Sequence, residues 1–386
     1  MKLLITLIRF GFPLLLFTDF TSNILSNVAI LNVSRGLRLF ILILFVIENI
    51  KYYSIIKKFY FFKTFALFAF VLFLYIFTDR NIVEGIWMFL KLLFWVLGLN
   101  VLFAYAYIGL FKFSDFFKVI KTVAIIAFGF TIYFYVSGYI EDDYNVAAYL
   151  VLSFYPVVLY SSNAFTKNRL LLLLCMISVF ITVKRGAVIA FSLASILYYI
   201  GSLYSSFSIK KLFFGILILS AFAFSAIYFI EQQSDRLEDR LSTEQFDISN
   251  ERAGSGRVGA YTRIYEAWYN SDNIILGFGN QEDSHRNRGR RTHAHSDIFG
   301  FLYNFGLVGI FLILFVYRKI ILFHFKYRKF KEVNRFMVLV LFVILVLVNI
   351  YSGLFYLTET IYLLSLFPYL QIRAMRYELI NSGHVR

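Results

Sequence analysis

The residues best suited to chemistry lie between positions 231 and 296, in a long polar segment between apolar runs. This segment contains nine arginines and no lysine, although lysine is frequent elsewhere in the chain. A planar guanidinium binds phosphate through two parallel hydrogen bonds and is more weakly hydrated than an ammonium group. The arginines therefore predict an anion site, with a diphosphate as the best-matched ligand. Salt bridges to the acidic residues of the same segment are the alternative interpretation.

His295 is the candidate for proton transfer. It lies where the polar segment meets the next apolar run, two residues before Asp297. Histidine titrates near neutral pH and can take a proton from a nucleophile. His293 is the competing base, and a histidine that is only hydrogen-bonded at the membrane interface is the structural alternative. Because no third ligand accompanies these histidines beyond His285 and the acidic residues, we expect no zinc site here.

Several basic residues are candidates for binding the anion. Arg257 follows glycines in "AGSGRVGAY", where the backbone can approach a ligand and the arginine can open a helix. Arg185 lies in a tight hairpin. Its side chain either extends to the aqueous interface or contributes its charge to a binding site. Lys91 lies within an apolar span and either lines a cavity for the anion or pairs with a carboxylate. Arg263 can also pair with Glu266 on a helix. The full candidate set is Lys91, Arg185, Arg257, Arg263, Arg290 and Arg291.

The composition indicates that a membrane holds the elements that position these residues. Of 386 residues, 60% are hydrophobic and 16% are charged, with a mean hydropathy of +0.72. Soluble domains contain about 45–50% apolar and about 25% charged residues. We therefore expect an all-α, polytopic membrane protein. The net charge of +15 is explained by cytoplasmic basic loops and not by nucleic-acid binding. With Cys175 as its one cysteine, the chain can form neither an intramolecular disulfide nor a cysteine zinc site.

About twelve segments are long and apolar enough to span a bilayer as helices. We expect these spans near 3–20, 36–50, 64–78, 85–108, 121–139, 145–161, 169–183, 186–204, 211–230, 297–317, 336–352 and 354–370. The basic residues of the connecting loops place both termini in the cytoplasm. The chain then divides into nine spans over 1–230, a large periplasmic loop over 231–296, and three spans with a cytoplasmic C-terminus over 297–386.

The large loop is predicted to contain short helices. Val258, Tyr261, Tyr265 and Trp268 recur at helical spacing and would form an apolar face. Such a helix can lie on the membrane surface or pack on the bundle.

Three stretches, in their order along the chain, resemble the superfamily of O-antigen polymerases (Wzy-type) and O-antigen ligases. They are "VKRGAVIA", "SGRVGAYTRIYEAWYNSDNIILGFGN" and "THAHSDIFGFLYNFGLVGI", within about 180 to 317. In the family, a Gly-Arg precedes aromatic residues and a Leu/Ile-Gly-x-Gly turn follows. The next helix begins after a histidine and carries Gly-Leu-x-Gly. The corresponding residues here are Gly256-Arg257, Trp268, Leu276-Gly277-Phe278-Gly279, His295 and Gly306-Leu307-Val308-Gly309.

The resemblance implies a GT-C-like bundle in the bacterial inner membrane and a glycosyl transfer that needs no metal or other cofactor. A glycan on undecaprenyl diphosphate would be transferred to an acceptor hydroxyl at the outer face. His295 would deprotonate that hydroxyl, and Arg185 and Arg257 would bind the departing diphosphate. The implied partners are undecaprenyl-diphosphate-linked oligosaccharides, membrane lipids and a chain-length regulator protein.

The residue after His295 favours a polymerase, because ligases of the family commonly have asparagine where this chain has Ser296. We therefore expect an O-antigen polymerase of lipopolysaccharide biosynthesis, whose acceptor is another lipid-linked repeat unit. The alternative is an O-antigen ligase, whose acceptor is lipid A–core. A polysaccharide flippase or other transporter ranks third. It would require related halves and several midplane charges, and the sequence has no repeat and one clear midplane charge, Lys91.

Overall fold

In the computed structural model, most of the described residues are helical and turns or irregular segments connect the helices. The described residues are 2–25, 28–79, 82–137, 141–161, 168–182, 184–205, 253–280, 296–327, 335–355 and 357–381, and none of them lies in a strand. A helix lies in every expected span except the ninth, 211–230, which is outside the described residues. The all-α, polytopic membrane fold expected from composition is confirmed, since the described part of the chain contains six helices that are long and apolar enough to cross a membrane.

The helices before the large loop begin with Lys2–Thr6 (α1), which continues through a π-helical turn, Leu7–Gly11, into Phe12–Leu25 (α2). The others in this part are Val28–Lys51 (α3), Tyr53–Ile56 (α4), Phe62–Tyr75 (α5), Ile82–Tyr107 (α6), Phe113–Ser137 (α7), Glu141–Tyr160 (α8), Arg169–Ile181 (α9) and Arg185–Ser205 (α10). The tight turn was expected around Lys184-Arg185-Gly186; α9 ends at Ile181 and α10 begins at Arg185, so Arg185 and Gly186 belong to the first turn of α10.

The described helices of the remaining chain are Ala253–Tyr269 (α11), Asp297–Tyr327 (α12), Arg335–Tyr351 (α13), Thr360–Leu364 (α14) and Leu366–Asn381 (α15). The expectation that the last span begins near 354 is wrong, because its first helix begins at Thr360. Gly353 has φ +129°, which breaks the helix after α13. The predicted division of the chain into 1–230, 231–296 and 297–386 stays a prediction.

Aromatic side chains fill the interior of the bundle, and apolar side chains cover its outside. Trp95 and Phe103 are fully buried, and the Trp95 indole donates a hydrogen bond to the carbonyl of Phe355 (3.0 Å). Val136 and Phe10 are among many large apolar residues that are exposed. An apolar exterior is suited to lipid chains, since a bilayer offers no water to penalise it.

Helix α12 is interrupted at Gly306, and the interruption is filled by a segment of the large loop. Gly306 has φ 59° and ψ −146°, which is not helical. The amides of Leu307 and Val308 therefore donate to the carbonyls of Ile274 (3.0 Å) and Ile275 (3.2 Å) instead of to their own helix. These bonds satisfy groups that would otherwise be buried without partners.

The same loop segment donates bonds to the other side of the interruption. The amide of Phe278 donates to the carbonyl of Tyr303 (3.0 Å), and that of Gly279 to the carbonyl of Asn304 (2.9 Å). Each of the two glycine motifs found in the sequence, at 276–279 and 306–309, therefore donates backbone bonds to residues that closely precede the other motif. Their joint role is to dock the large loop on α12.

Replacement of Gly306 by alanine should loosen this docking. A Cβ at Gly306 would lie 2.5 Å from the carbonyl oxygen of Ile274, and the backbone conformation disfavours any side chain. We expect a loss of about 2 kcal/mol or more in the free energy of unfolding, read as a lower melting temperature of the detergent-purified protein. Gly129→Ala in α7 is the control, since nothing lies within 4 Å of a Cβ there. Equal melting of the two variants would contradict the interpretation.

Candidate active site

Helix α10 begins against the C-terminal end of α13. Its first residue is the predicted anion ligand Arg185. A Cβ at the next residue, Gly186, would lie 2.7 Å from Cγ of Tyr351. The hydroxyl of Tyr149 donates to the backbone carbonyl of Tyr351 (3.4 Å). The glycine after Arg185 therefore allows the start of α10 to approach the end of α13 closely.

Helix α11 places Arg257 near the same end of α13. Tyr261, one helical turn after Arg257, donates its hydroxyl to the carbonyl of Ile350 (3.0 Å). The Tyr261 ring is stacked on Phe299 at 4.2 Å between centroids and 6° between planes. The prediction that Arg257 opens this helix is wrong, because α11 begins one turn earlier, at Ala253.

His295 lies outside the described residues, whereas Ser296, which follows it, is described. Ser296 is buried, and its hydroxyl donates to the carbonyl of Asn349 (2.9 Å). The described chain therefore resumes at Ser296, beside the end of α13. Arg290 and Arg291 also lie outside the described residues.

The end of α13 is thus the common contact of three separate parts of the chain. Gly186, which follows Arg185, lies against Tyr351. Tyr261, one turn after Arg257, bonds to Ile350. Ser296, which follows His295, bonds to Asn349. We call residues 349–351 the α13 terminus. From the sequence, the α13 terminus was predicted only as the end of a span. The one feature of the sequence that marked the α13 terminus was Asn349, a polar residue inside an apolar run. In the structure Asn349 is buried.

Asp297 holds the chain that follows the α13 terminus. Its carboxylate is buried and accepts the backbone amides of Leu354 (2.5 Å) and Phe355 (3.1 Å). Gly353 lets the backbone pass close to this carboxylate, since a Cβ there would lie 3.0 Å from Oδ1 of Asp297. A carboxylate at the N-terminus of a long helix is also stabilised by the helix dipole. Asp297 is therefore a positioning residue for the start of α12.

Removal of the Asp297 carboxylate should destabilise this region. Asp297→Ala leaves the amides of Leu354 and Phe355 without their acceptor. We expect a loss of about 3 kcal/mol, because each unsatisfied buried donor costs about 1–3 kcal/mol. The measurement is thermal melting of the purified protein in detergent. Asp297→Asn, which keeps one oxygen acceptor, should lose less. A wild-type melting temperature in Asp297→Ala would rule out the positioning function.

The apolar face of α11 packs on the first half of α12. Ile264, Trp268 and Tyr303 form a small buried cluster, and the Trp268 indole donates to the carbonyl of Ile274 (3.0 Å). The predicted apolar face of α11 is partly wrong, because Tyr265, which was expected to lie on it, is 46% exposed. Of the two expected positions for this helix, the described residues show packing on the bundle.

The remaining candidates lie elsewhere. Arg263 is exposed and lies two residues after Tyr261, which is nearly the opposite face of α11. Lys91 is half-buried in α6, within electrostatic reach of Arg38 and Glu359. Among the residues that the structure describes, no group of three His, Cys, Asp or Glu side chains could hold a metal ion.

Part of the chain matches a known protein family. Residues 170–314 match the family described as O-Antigen ligase. The match includes α10, α11 and both glycine motifs, together with Arg185, Arg257 and His295, and it confirms the resemblance found in the sequence. The family suggests O-antigen polymerase or ligase activity in a membrane enzyme of the glycosyltransferase type. No curated protein matches the chain.

Proposed function

We propose that the protein is an O-antigen polymerase. It would transfer the growing glycan from undecaprenyl diphosphate to a sugar hydroxyl of another lipid-linked repeat unit. The observation that carries the proposal is that Gly186, Tyr261 and Ser296 all contact the α13 terminus. These residues lie next to, or one helical turn from, Arg185, Arg257 and His295. The latter three residues supply a base and two guanidinium groups, which are the groups that such a transfer requires.

In the proposed reaction His295 takes the proton of the acceptor hydroxyl. The oxygen attacks the anomeric carbon of the donor sugar, a new C–O bond forms, and the bond to the diphosphate oxygen breaks. The diphosphate leaves with the electron pair. General bases of this kind typically contribute about 10²- to 10⁴-fold in rate. The bond from Ser296 to Asn349 supports this assignment, because it holds the backbone next to His295 in place.

Arg185 and Arg257 would stabilise the charge that develops on the departing diphosphate. Donors that are already in place when charge develops lower the barrier without reorganisation. Arg185 is the first residue of a 21-residue helix, whose N-terminus carries partial positive charge. The exposed Arg263 and the arginines at 290 and 291 would contact the lipid headgroup or the glycan farther from the reacting atoms.

The reaction end of the bundle would face the periplasm. In this arrangement the protein lies in the bacterial inner membrane with both termini in the cytoplasm, as the basic loops indicate. Membrane lipids and a chain-length regulator protein are the proposed partners. Because both substrates are anchored in one membrane plane, proximity contributes to the rate.

A second candidate function is that of an O-antigen ligase, which the description of the matched family favours. The same base and arginines would then transfer the finished glycan to lipid A–core. Deletion of the gene followed by glycan analysis separates the two functions. Loss of polymer with retention of a single capped repeat supports the polymerase. Accumulation of lipid-linked polymer would overturn it in favour of the ligase.

A further inference from the structure

A group of basic and aromatic side chains lies at the end of α12 that the basic loops predict to be cytoplasmic. Lys319 is half-buried and Lys326 is exposed, and both belong to the last third of this helix. They are seven residues apart, which is two turns, so they lie on one face of α12. We call Lys319, Lys326 and the tyrosine that both contact, Tyr60, the dilysine site.

The ring of Tyr60 is the common contact of the two lysines. The ammonium nitrogen of Lys319 lies 5.4 Å from the ring centroid, and that of Lys326 lies 5.3 Å from it. A cation within about 6 Å of the centroid is attracted to the face of an aromatic ring. Helix α12 therefore directs two of its positive charges to one ring of a distant segment.

The position of Tyr60 is fixed by the residues around it. Its amide donates to the side-chain oxygen of Gln371 (2.8 Å), whose own amide nitrogen donates to the carbonyl of Lys58 (2.8 Å). The Tyr60 ring packs on Phe61 and Phe323 at 5.2 and 5.5 Å between centroids. Its hydroxyl forms no hydrogen bond with another described residue. The ring is thus a preformed surface with one hydroxyl donor available to a ligand.

No carboxylate forms an ion pair with the two lysines in the part of the chain that the structure describes. Neither Lys319 nor Lys326 has an acidic oxygen within 4.0 Å there. Glu378, an exposed carboxylate near Tyr327, pairs with neither of them. Two cations that approach one ring repel each other, and an anion bound between them offsets this repulsion. The dilysine site therefore favours an anionic ligand.

Apolar side chains on the outside of α12 continue from the dilysine site along the helix. Leu314, Ile321, Leu322 and Phe325 are exposed and are spaced as on one face of a helix. They are part of the apolar exterior of the bundle, which is suited to lipid chains. A phospholipid has an anionic group and apolar chains side by side, as this combination of side chains requires.

We propose that the dilysine site binds the phosphate of an anionic phospholipid, such as phosphatidylglycerol. The phosphate would accept hydrogen bonds from the two ammonium groups and from the hydroxyl of Tyr60, and the acyl chains would lie along the exposed side of α12. Basic residues between membrane helices on the cytoplasmic side are suited to such headgroups. The lipid would hold α12 against the segment that precedes α5. This site does not depend on the proposed transfer reaction.

The test is binding of phosphatidylglycerol to the detergent-purified full chain, measured by native mass spectrometry as the fraction of protein that retains the lipid. One basic residue near a membrane surface contributes about fivefold in affinity, so Lys319→Gln combined with Lys326→Gln should weaken binding about 20- to 30-fold. Replacement of both lysines by arginine keeps the charges and should preserve most of the affinity. Equal loss of binding in the arginine variant, with a normal melting temperature, would contradict a site defined by charge.

Lys118→Gln combined with Lys121→Gln is the matched control. These lysines are exposed on α7, at the end that is also predicted to be cytoplasmic, and their replacement changes the net charge by the same amount. The control variant should bind phosphatidylglycerol as the wild type does. Equal weakening in both glutamine variants would mean that a diffuse basic surface attracts the lipid, and the defined site would be wrong.

Two further results would overturn the choice of ligand. If the zwitterionic phosphatidylcholine binds as tightly as phosphatidylglycerol, apolar contact alone holds the lipid. If inorganic phosphate displaces phosphatidylglycerol at equal concentration, the dilysine site binds a free anion. His295→Ala should bind phosphatidylglycerol as the wild type does, so that failure of this site and failure of the polymerase function are measured separately.

Discussion

Replacement of His295 by alanine is expected to abolish the polymer while the protein still inserts into the membrane. Without a base, the acceptor hydroxyl keeps its proton during attack, and the rate should fall by about 10²- to 10⁴-fold. The measurement is a glycan ladder on a gel, together with the amount of protein in the membrane fraction. Since His295 follows directly on the polar loop, its loss should leave the packing of α12 unchanged.

His293→Ala is the matched control for this variant. It removes a histidine two residues away and should leave the ladder close to that of the wild type. Normal ladders in His295→Ala would contradict the assignment. Loss of the ladder in His293→Ala alone would transfer the function of the base to His293.

Replacement of Arg257 by lysine is the second change with a large expected effect. Lysine keeps the positive charge and loses the planar pair of donors that binds a diphosphate through two bonds. Loss of a charge-assisted hydrogen bond costs about 1.5–3 kcal/mol, so we expect transfer to slow by about tenfold to a hundredfold. The measurement is the initial rate of transfer together with the distribution of chain lengths.

Arg263→Lys on the same helix is the control for this change. Arg263 is exposed on nearly the opposite face of α11 from Tyr261, so its replacement should have a much smaller effect. Wild-type rates and chain lengths in Arg257→Lys would mean that positive charge alone is sufficient at this position.

The membrane spans were predictable because they depend on local composition. A run of apolar residues bounded by charges indicates a span wherever it occurs, and helices occupy the expected segments within the described residues. Details that depend on one contact were missed. The late start of the last span at Thr360 follows from Gly353 and from the bonds to Asp297, which the local pattern does not contain.

The candidate site was predictable only in part, because its residues are distant in sequence. The side-chain types of Arg185, Arg257 and His295 suggested two ligands for an anion and one base, which are the functions proposed for them. The α13 terminus, which contacts their neighbours, gave little signal beyond Asn349. The two glycine motifs were also recognised separately, whereas their pairing through Ile274 and Tyr303 was not. Backbone hydrogen bonds between distant segments leave no periodic pattern in side chains.

The most direct test of the central claim is transfer by the purified protein in liposomes. The substrate is the lipid-linked repeat unit extracted from a deletion strain, with no other acceptor present. We expect a ladder of products, with one undecaprenyl diphosphate released for each new linkage, and no ladder with His295→Ala. Formation of product only after lipid A–core is added would contradict the polymerase function.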